Sequence, residues 1–214
     1  MGYKRLEAQG SIERISSNPK QISVNLARAR RDLMVARANL EIDEAWAHTI
    51  AYHAMLRAGR ALMFSHGYRP KGKDQHRTVV EFCAAVLGEG FRTLINRFNR
   101  MRTKRHQFIY DPERPIPKTE AAQSLKSAED FVAMVNAQAI LIPQQTVSRD
   151  TKGNPYALVV NAQEQAEVRP LSLDRAIGDQ WLIAAGLKSG DRVIAEGLQR
   201  GHDARSSACG GQNP

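Results

Sequence analysis

The residues that could carry out chemistry are concentrated between positions 100 and 111, in the stretch RMRTKRHQFIYD. On a helix, Arg102 and Arg105 fall inside a stripe of apolar side chains rather than opposite it. Arg102, His106 and Tyr110 follow one another at four-residue spacing along the edge of that stripe. A cation on an apolar face costs free energy unless it is paired or contacts a partner. This stretch therefore predicts a functional face.

A plainer interpretation of the same arginines is structural. Arginine and lysine stems can lie over the edge of a core while their charged ends reach water. Cations near the C-terminus of a helix also interact favourably with its dipole. Geometry alone leaves both interpretations open.

The positive charge of the chain is confined to its first part. The formal net charge is +9, and residues 1–137, with 23 Lys/Arg against 14 Asp/Glu, account for all of it. Six basic residues and no acidic one lie between positions 92 and 105. Such a patch attracts phosphate backbones or an acidic protein partner. The predicted binding residues are Arg97, Arg100, Arg102, Lys104 and Arg105.

Several other kinds of site find no support in the sequence. Aromatic residues make up only 6% of the chain and form no stacking platform, so sequence-specific reading of nucleic acid is not indicated. No Ser/His/Asp set or pair of carboxylates stands out, and no cofactor or metal is predicted. Cys83 is expected to be a buried free thiol. His66 and His76 flank a basic loop and could contact phosphate.

Helical spacing of apolar residues organises the first part of the chain. The polar residues 1–24 are predicted to form an arm or a short helix. Asp43 is a candidate N-cap and Gly67 a C-terminal stop for the second helix. Five helices joined by short loops predict an up-and-down bundle over residues 25–138. The predicted helices lie near residues 25–40, 43–65, 76–87, 91–111 and 119–138.

At position 139 the pattern changes to short runs rich in β-branched residues, mostly with a period of two. Residues 139–200 are therefore expected to form a small β domain, and the Gly/Ser-rich residues 201–214 a disordered tail. The predicted class is α+β, a helical bundle followed by a small, incomplete β domain.

Two stretches of the first part together resemble a HEPN domain, over about residues 25–138. They are GYRPKGKDQHRTVVEF and RTKRHQFIYD. The motif of that family is Arg, a polar residue, three further residues and then His. Arg105 matches the Arg and His106 the polar position, but Tyr110 stands where the active ribonucleases carry His.

The HEPN resemblance implies a helical module of prokaryotic toxins and nucleotidyltransferase partners, which cleaves RNA with the Arg and His of two facing protomers. Arg105, His106 and Tyr110 are the candidate catalytic residues, although tyrosine, with an unperturbed pKa of about 10, is a poor acid or base near neutral pH. We therefore expect a non-catalytic module. It would form a homodimer through the basic face and bind RNA, a nucleotide or an acidic antitoxin. An active metal-independent ribonuclease is the alternative.

Residues 140–200 are similar to the C-terminal, membrane-proximal part of periplasmic adaptors of RND-type efflux pumps, also called membrane fusion proteins. The stretches IPQQ, AIGD, GLKSGDRVI and EGLQ occur in the family's order. This resemblance implies a second alternative, an adaptor fragment acting with an RND transporter. The first residues have no apolar core of signal-peptide length, so we expect a cytoplasmic protein in which a gene fusion or rearrangement joined the two parts.

Overall fold

The computed structural model describes residues 2–16, 18–110, 115–138, 140–188 and 191–195, and for residues 106–110 it describes the backbone alone. The chain divides into two compact units, residues 1–139 and 140–214. The α+β class is confirmed, with helices in the first unit and strands in most of the second. Within the described ranges, every helix is too short or too polar to span a lipid bilayer.

The first unit is a bundle of five long helices with a short helix and a two-stranded ribbon. Its elements are α1 (Lys4–Ala8), β1 (Ile12–Arg14), α2 (Pro19–Asn39), α3 (Glu44–Ser65), β2 (Tyr68–Pro70), α4 (Gln75–Leu87), a 3-10 turn (Glu89–Phe91), α5 (Arg92–Tyr110) and α6 (Lys118–Gln138). The five predicted helices are present. As expected, Asp43 caps α3, because its carboxylate accepts the backbone N–H of Trp46 at 2.9 Å.

Helix α3 is the central helix of this bundle, since it packs against α2, α4, α5 and α6. Its side chains are accordingly buried on nearly every face. Trp46, in the first turn of the helix, is nevertheless 53% exposed. A helix surrounded by neighbours has no single buried stripe, so its sequence pattern does not identify one.

The N-terminal residues, predicted to form an arm or a short helix, contain the short helix α1 and also a strand. Strand β1 pairs antiparallel with β2, and Ile12 lies opposite Pro70. Leu6 and Ile12 are buried in the core of the unit. Helix α2 begins at Pro19, because the side chain of Asn18 accepts the N–H of Lys20 and proline is well suited to a first helical turn.

The second unit contains two small antiparallel sheets. Its strands are β3 (Ile140–Pro143), β4 (Ser148–Arg149), β5 (Pro155–Val160), β6 (Ala166–Pro170), β7 (Ser172–Ile177), β8 (Gln180–Ala185) and β9 (Arg192–Val193). One sheet has the order β3–β8–β7; in the other, β4, β6 and β9 pair with β5. Between them lies a core of Ile142, Ala157, Val159, Leu171, Ile183 and Leu187. The predicted disordered tail, residues 201–214, lies outside the described residues.

Candidate functional site

Helix α5 packs into the bundle along a line of buried apolar side chains formed by Ile95, Phe98 and Met101. Five of its basic side chains form two groups. Three of them line a cleft against α6, and two lie near α3 and α4. The single basic face predicted from the sequence is thus two separate sites. The first group consists of Arg97, Arg100 and Lys104, and the second of Arg102 and Arg105.

On the α3–α4 side, Arg105 lies over an aromatic ring, within a group that we call the Arg105 cluster (Tyr52, His53, Arg60, His76 and Arg105). The guanidinium carbon of Arg105 is 5.1 Å from the centroid of the Tyr52 ring, a cation–π distance. Tyr52 Oη and His76 Nδ1 are hydrogen-bonded at 2.8 Å. The ring centroid of His53 is 5.5 Å from that of Tyr52 and 6.4 Å from that of His76.

Burial and the neighbouring cations keep the tyrosine and the two histidines of the Arg105 cluster uncharged. Burial, followed by the charges of Arg105 and Arg60, lowers the pKa of His76 to about 4. Burial, followed by the charges of Arg105 and Arg57, also lowers the pKa of His53. Burial raises the pKa of Tyr52 to about 12, against the opposing effect of the arginines. At neutral pH the arginines therefore carry the charge of the cluster.

These arginines have no carboxylate partner among the described residues. Among the described residues, Arg60 and Arg102 donate only to neutral side-chain oxygens, those of Gln75 at 3.4 Å and Asn99 at 3.0 Å. The Nε atoms of Arg60 and Arg105 are buried and have no hydrogen-bond partner within the described part of the chain. An unpaired, buried donor on a cation is costly. A bound anion would relieve that cost.

On the other side of α5 lies a polar cleft of about 340 Å³ against α6, which we call the α5–α6 cleft. His48 lies at its base, buried, with Nδ1 2.9 Å from Ser124 Oγ. Lys104 forms an ion pair with Glu120. Arg97 donates a long hydrogen bond, 3.4 Å, to Ser127. Burial lowers the pKa of His48 to about 4, so this histidine is uncharged at neutral pH.

The predicted catalytic set is described only in part. Arg105 is half-buried in the cluster named for it, whereas the side chains of His106 and Tyr110 lie outside the described residues. Of the two loop-flanking histidines, His76 lies beside Tyr52 in the cluster. The His66 ring instead stacks edge-on against Phe82 in the core.

The contribution of α3 to the site was not predicted from the sequence. Tyr52 and Arg60 are eight residues apart, so they lie on one face of that helix, with His53 beside them. Because α3 is buried on nearly every side, its apolar pattern hides this face. Within the described ranges no group of three His, Cys, Asp or Glu residues could hold a metal ion.

The HEPN domain model matches residues 23–138, more than half of the chain. The chain belongs to the HEPN family. Both the Arg105 cluster and the α5–α6 cleft are parts of this HEPN domain. The crystal structure of TT1696 from Thermus thermophilus shares 19% sequence identity with the chain, covering 54% of it and 95% of TT1696, with a TM-score of 0.44.

A second family model, the C-terminal permuted SH3 domain of RND membrane fusion proteins, matches residues 138–200 beyond the HEPN domain. Over 85 residues the chain is 47% identical to the multidrug resistance protein MexA of Pseudomonas aeruginosa, covering 40% of the chain and 22% of MexA. Over 67 residues it is 58% identical to the antibiotic efflux pump periplasmic linker protein ArpA of Pseudomonas putida, covering 31% of the chain and 18% of ArpA. The chain thus matches about a fifth of the length of these relatives. Both resemblances expected from the sequence are confirmed.

Proposed function

We propose that the HEPN domain binds RNA through its phosphate backbone and does not cleave it. The observation that carries this proposal is the Arg105 cluster together with the neighbouring Arg102. Arg60, Arg102 and Arg105 all lower the pKa of His76, and none of them has a carboxylate partner among the described residues. Phosphates would supply the missing negative charge. The imidazoles of His53 and His76 are neutral and only partly buried, so they lie close enough to accompany a sugar or base.

The absence of cleavage is inferred from acid–base chemistry. General acid–base catalysis is most effective when the pKa of the catalytic group lies near the working pH. Beside Arg105, the pKa of His76 is about 4 and that of Tyr52 about 12, so neither is suited to transfer protons at neutral pH. At position 110, where the active ribonucleases of the family carry His, this chain has Tyr.

The face of the domain that carries the Arg105 cluster is also the surface through which we propose that a second copy of the chain binds. Two basic faces repel each other unless an anion lies between them, so we expect this homodimer to form only with RNA bound. An acidic protein, such as the antitoxin of a toxin–antitoxin pair, would use the same charges and would therefore compete with RNA.

Fluorescence anisotropy of a labelled single-stranded RNA, titrated with the full chain at about 50 to 200 mM salt, tests the proposal. We expect Arg105→Gln to weaken binding about tenfold, because it removes a charge-assisted contact. Arg28→Gln, which removes an exposed arginine of α2, is the matched control and should bind as the parent does. Equal binding by parent and Arg105→Gln would reject the Arg105 cluster as the RNA site. Cleavage of the RNA by the parent, abolished in Arg105→Gln, would instead establish a ribonuclease.

A second candidate function is that of an efflux adaptor fragment, favoured by the 58% identity to ArpA over 67 residues. It requires the second unit to bind an RND transporter. Co-purification of the full chain with a detergent-solubilised RND transporter is the measurement that would support this candidate, and failure to co-purify would remove it.

A further inference from the structure

Strand β6 forms an edge of its sheet in the second unit. Among the described residues it pairs with β5 alone, in a regular register that runs from Tyr156 and Pro170 to Val160 and Ala166. Strand β7, an edge of the other sheet, pairs with β8 through register shifts, and such irregularities hinder the addition of a further strand. The regular edge of β6 is therefore the better template for another strand.

The backbone N–H and C=O of Val168 point away from β5. Leu158 lies opposite Val168, but its carbonyl accepts the N–H of Ile194 at 2.9 Å, on the other side of β5. Because hydrogen-bonded and non-hydrogen-bonded pairs alternate in an antiparallel ladder, the outward groups recur at every second residue of β6. Ala166 and Val168 thus present an N–H and a C=O at the edge. Pro170, which has no N–H, presents a C=O.

The side chains along this edge combine an exposed apolar group with two opposite charges. Val168, in the middle of the strand, is 60% exposed. Glu167 and Arg169 flank it, lie on the other face of the sheet and form an ion pair at 3.0 Å. An exposed apolar edge can pair with many strands, whereas flanking charges of opposite sign admit only a strand with matching charges.

The order of these charges makes β6 complementary to a second copy of itself. If two antiparallel copies are related by a two-fold axis beside Val168, the two Val168 residues are opposite each other, and Glu167 of each copy is opposite Arg169 of the other. Opposite charges in such positions stabilise an antiparallel pair, and like charges destabilise it. The two Val168 residues exchange hydrogen bonds, and the Ala166 N–H of each copy donates to the Pro170 C=O of the other.

We propose that β6 is a dimerisation edge, through which the second units of two copies of the chain form one continuous antiparallel sheet. A second copy is the partner because the two-fold axis places every charge of the edge opposite its complement. The contact is small, so the dimer is reversible, with a dissociation constant on the order of 10 μM. It is independent of RNA binding, since it uses none of the arginines of the helical unit.

Analytical ultracentrifugation of the RNA-free full chain, between about 1 and about 200 μM, is the first test. We expect the parent to dimerise reversibly. Glu167→Arg and Arg169→Glu should each weaken dimerisation at least about tenfold, because each places like charges opposite each other on both sides of the axis. Asp174→Arg makes the same change of charge as Glu167→Arg at an exposed position of β7. It is the matched control and should dimerise as the parent does.

Mixing the two variants tests the pairing in a way that loss of folding does not reproduce. In a dimer of one Glu167→Arg chain and one Arg169→Glu chain, the arginines of one strand are opposite the glutamates of the other. We expect the mixture to dimerise with about the affinity of the parent, although neither variant does so alone. Two variants that keep the near-UV circular dichroism of the parent and still fail to associate would reject the proposal.

Amide hydrogen exchange of the parent examines the edge without any substitution. Protection of the Val168 N–H should increase with protein concentration, whereas the Arg169 N–H, which faces β5, should be protected at every concentration. A Val168 N–H that is fully protected in the monomer would show that another part of the chain covers the edge, and would overturn the proposal.

Three results of the ultracentrifugation would also overturn it. They are a parent that stays monomeric at about 200 μM, an Asp174→Arg variant that loses as much affinity as Glu167→Arg, and a dimer that forms only with RNA. A dimer that requires RNA and is lost in Arg105→Gln would support the proposed function while rejecting the β6 edge. An RNA-free dimer that persists in Arg105→Gln, in a chain that binds no RNA, would do the reverse.

Discussion

At the scale of single residues, burial keeps two histidines of the helical unit uncharged, and at one of them neighbouring arginines add to its effect. His48 lies buried at the base of the α5–α6 cleft, and burial is the main cause that lowers its pKa to about 4. His76 is only partly buried, but Arg105, Arg60 and Arg102 add to the effect of burial and lower its pKa to about 4 as well. Because these pKa values are properties of the folded state, they link stability to pH.

The free energy of unfolding should fall as pH falls from about 6.5 to about 4. In that window the unfolded chain binds protons at His48 and His76, with an ordinary pKa of about 6.5, whereas the folded chain does not. Urea unfolding at about pH 7 and about pH 5 measures the difference. The double variant His48→Gln/His76→Gln should lose most of this dependence. A dependence as steep as in the parent would show that other groups cause it.

Removing the charge of Arg105 should raise the pKa of His76 towards its ordinary value, since Arg105 is the largest contributor after burial. NMR titration of the His76 ring in the parent and in Arg105→Gln measures this shift. Arg28→Gln should leave the His76 pKa where it is in the parent. An unchanged His76 pKa in Arg105→Gln would contradict the placement of the guanidinium beside Tyr52 and His76.

At the scale of elements, local patterns predicted what local interactions determine. The apolar spacing and the Asp43 cap gave α3 within one residue of its observed start, and the inward position of Arg105 followed from the stripe on α5. The ribbon of β1 and β2 was missed because it joins residues nearly 60 positions apart. Tyr52 and Arg60 were missed because α3 has no exposed face to contrast with a buried one.

The contact between α3 and α4 depends on Gly59. A Cβ at this position would lie 2.6 Å from Val79 Cγ1 and 3.1 Å from Cys83 Sγ, both in the packed interior. Gly59→Ala should therefore destabilise the helical unit by about 1–3 kcal/mol in urea unfolding. Gly90→Ala is the control, because nothing lies within 4 Å of its Cβ position. Equal effects of the two substitutions would show that the loss arises from glycine flexibility and not from packing.

At the scale of the whole molecule, the chain contains two hydrophobic cores. The core of the second unit consists of residues between 142 and 187, all from that unit. The junction between the two compact units lies at residues 139–140, one residue from the junction expected from the change of sequence pattern. Because the two cores are separate, we expect the two units to unfold in separate transitions.

Gly186→Ala should lower the stability of the second unit and leave the first unaffected. Gly186 has φ +105°, and a Cβ there would lie 2.2 Å from the carbonyl oxygen of Pro170. Trp181 fluorescence in a Trp46→Phe background reports on the second unit, and far-UV circular dichroism reports mainly on the helices. Gly153→Ala is the control. Gly153 has φ +85° and nothing lies within 4 Å of its Cβ position, so this substitution should destabilise the second unit less than Gly186→Ala does. Simultaneous loss of both signals in Gly186→Ala would show that the two units unfold together.

The β1–β2 ribbon makes the folded HEPN unit longer than the region by which the family is recognised. A protein shortened to residues 23–138 would lack Leu6 and Ile12, together with the Tyr3 ring that packs against Phe82 at 5.3 Å. It would expose apolar surface around Tyr68 and leave β2 without its partner strand. Such a fragment should aggregate on expression, and restoring residues 1–22 should return it to solution.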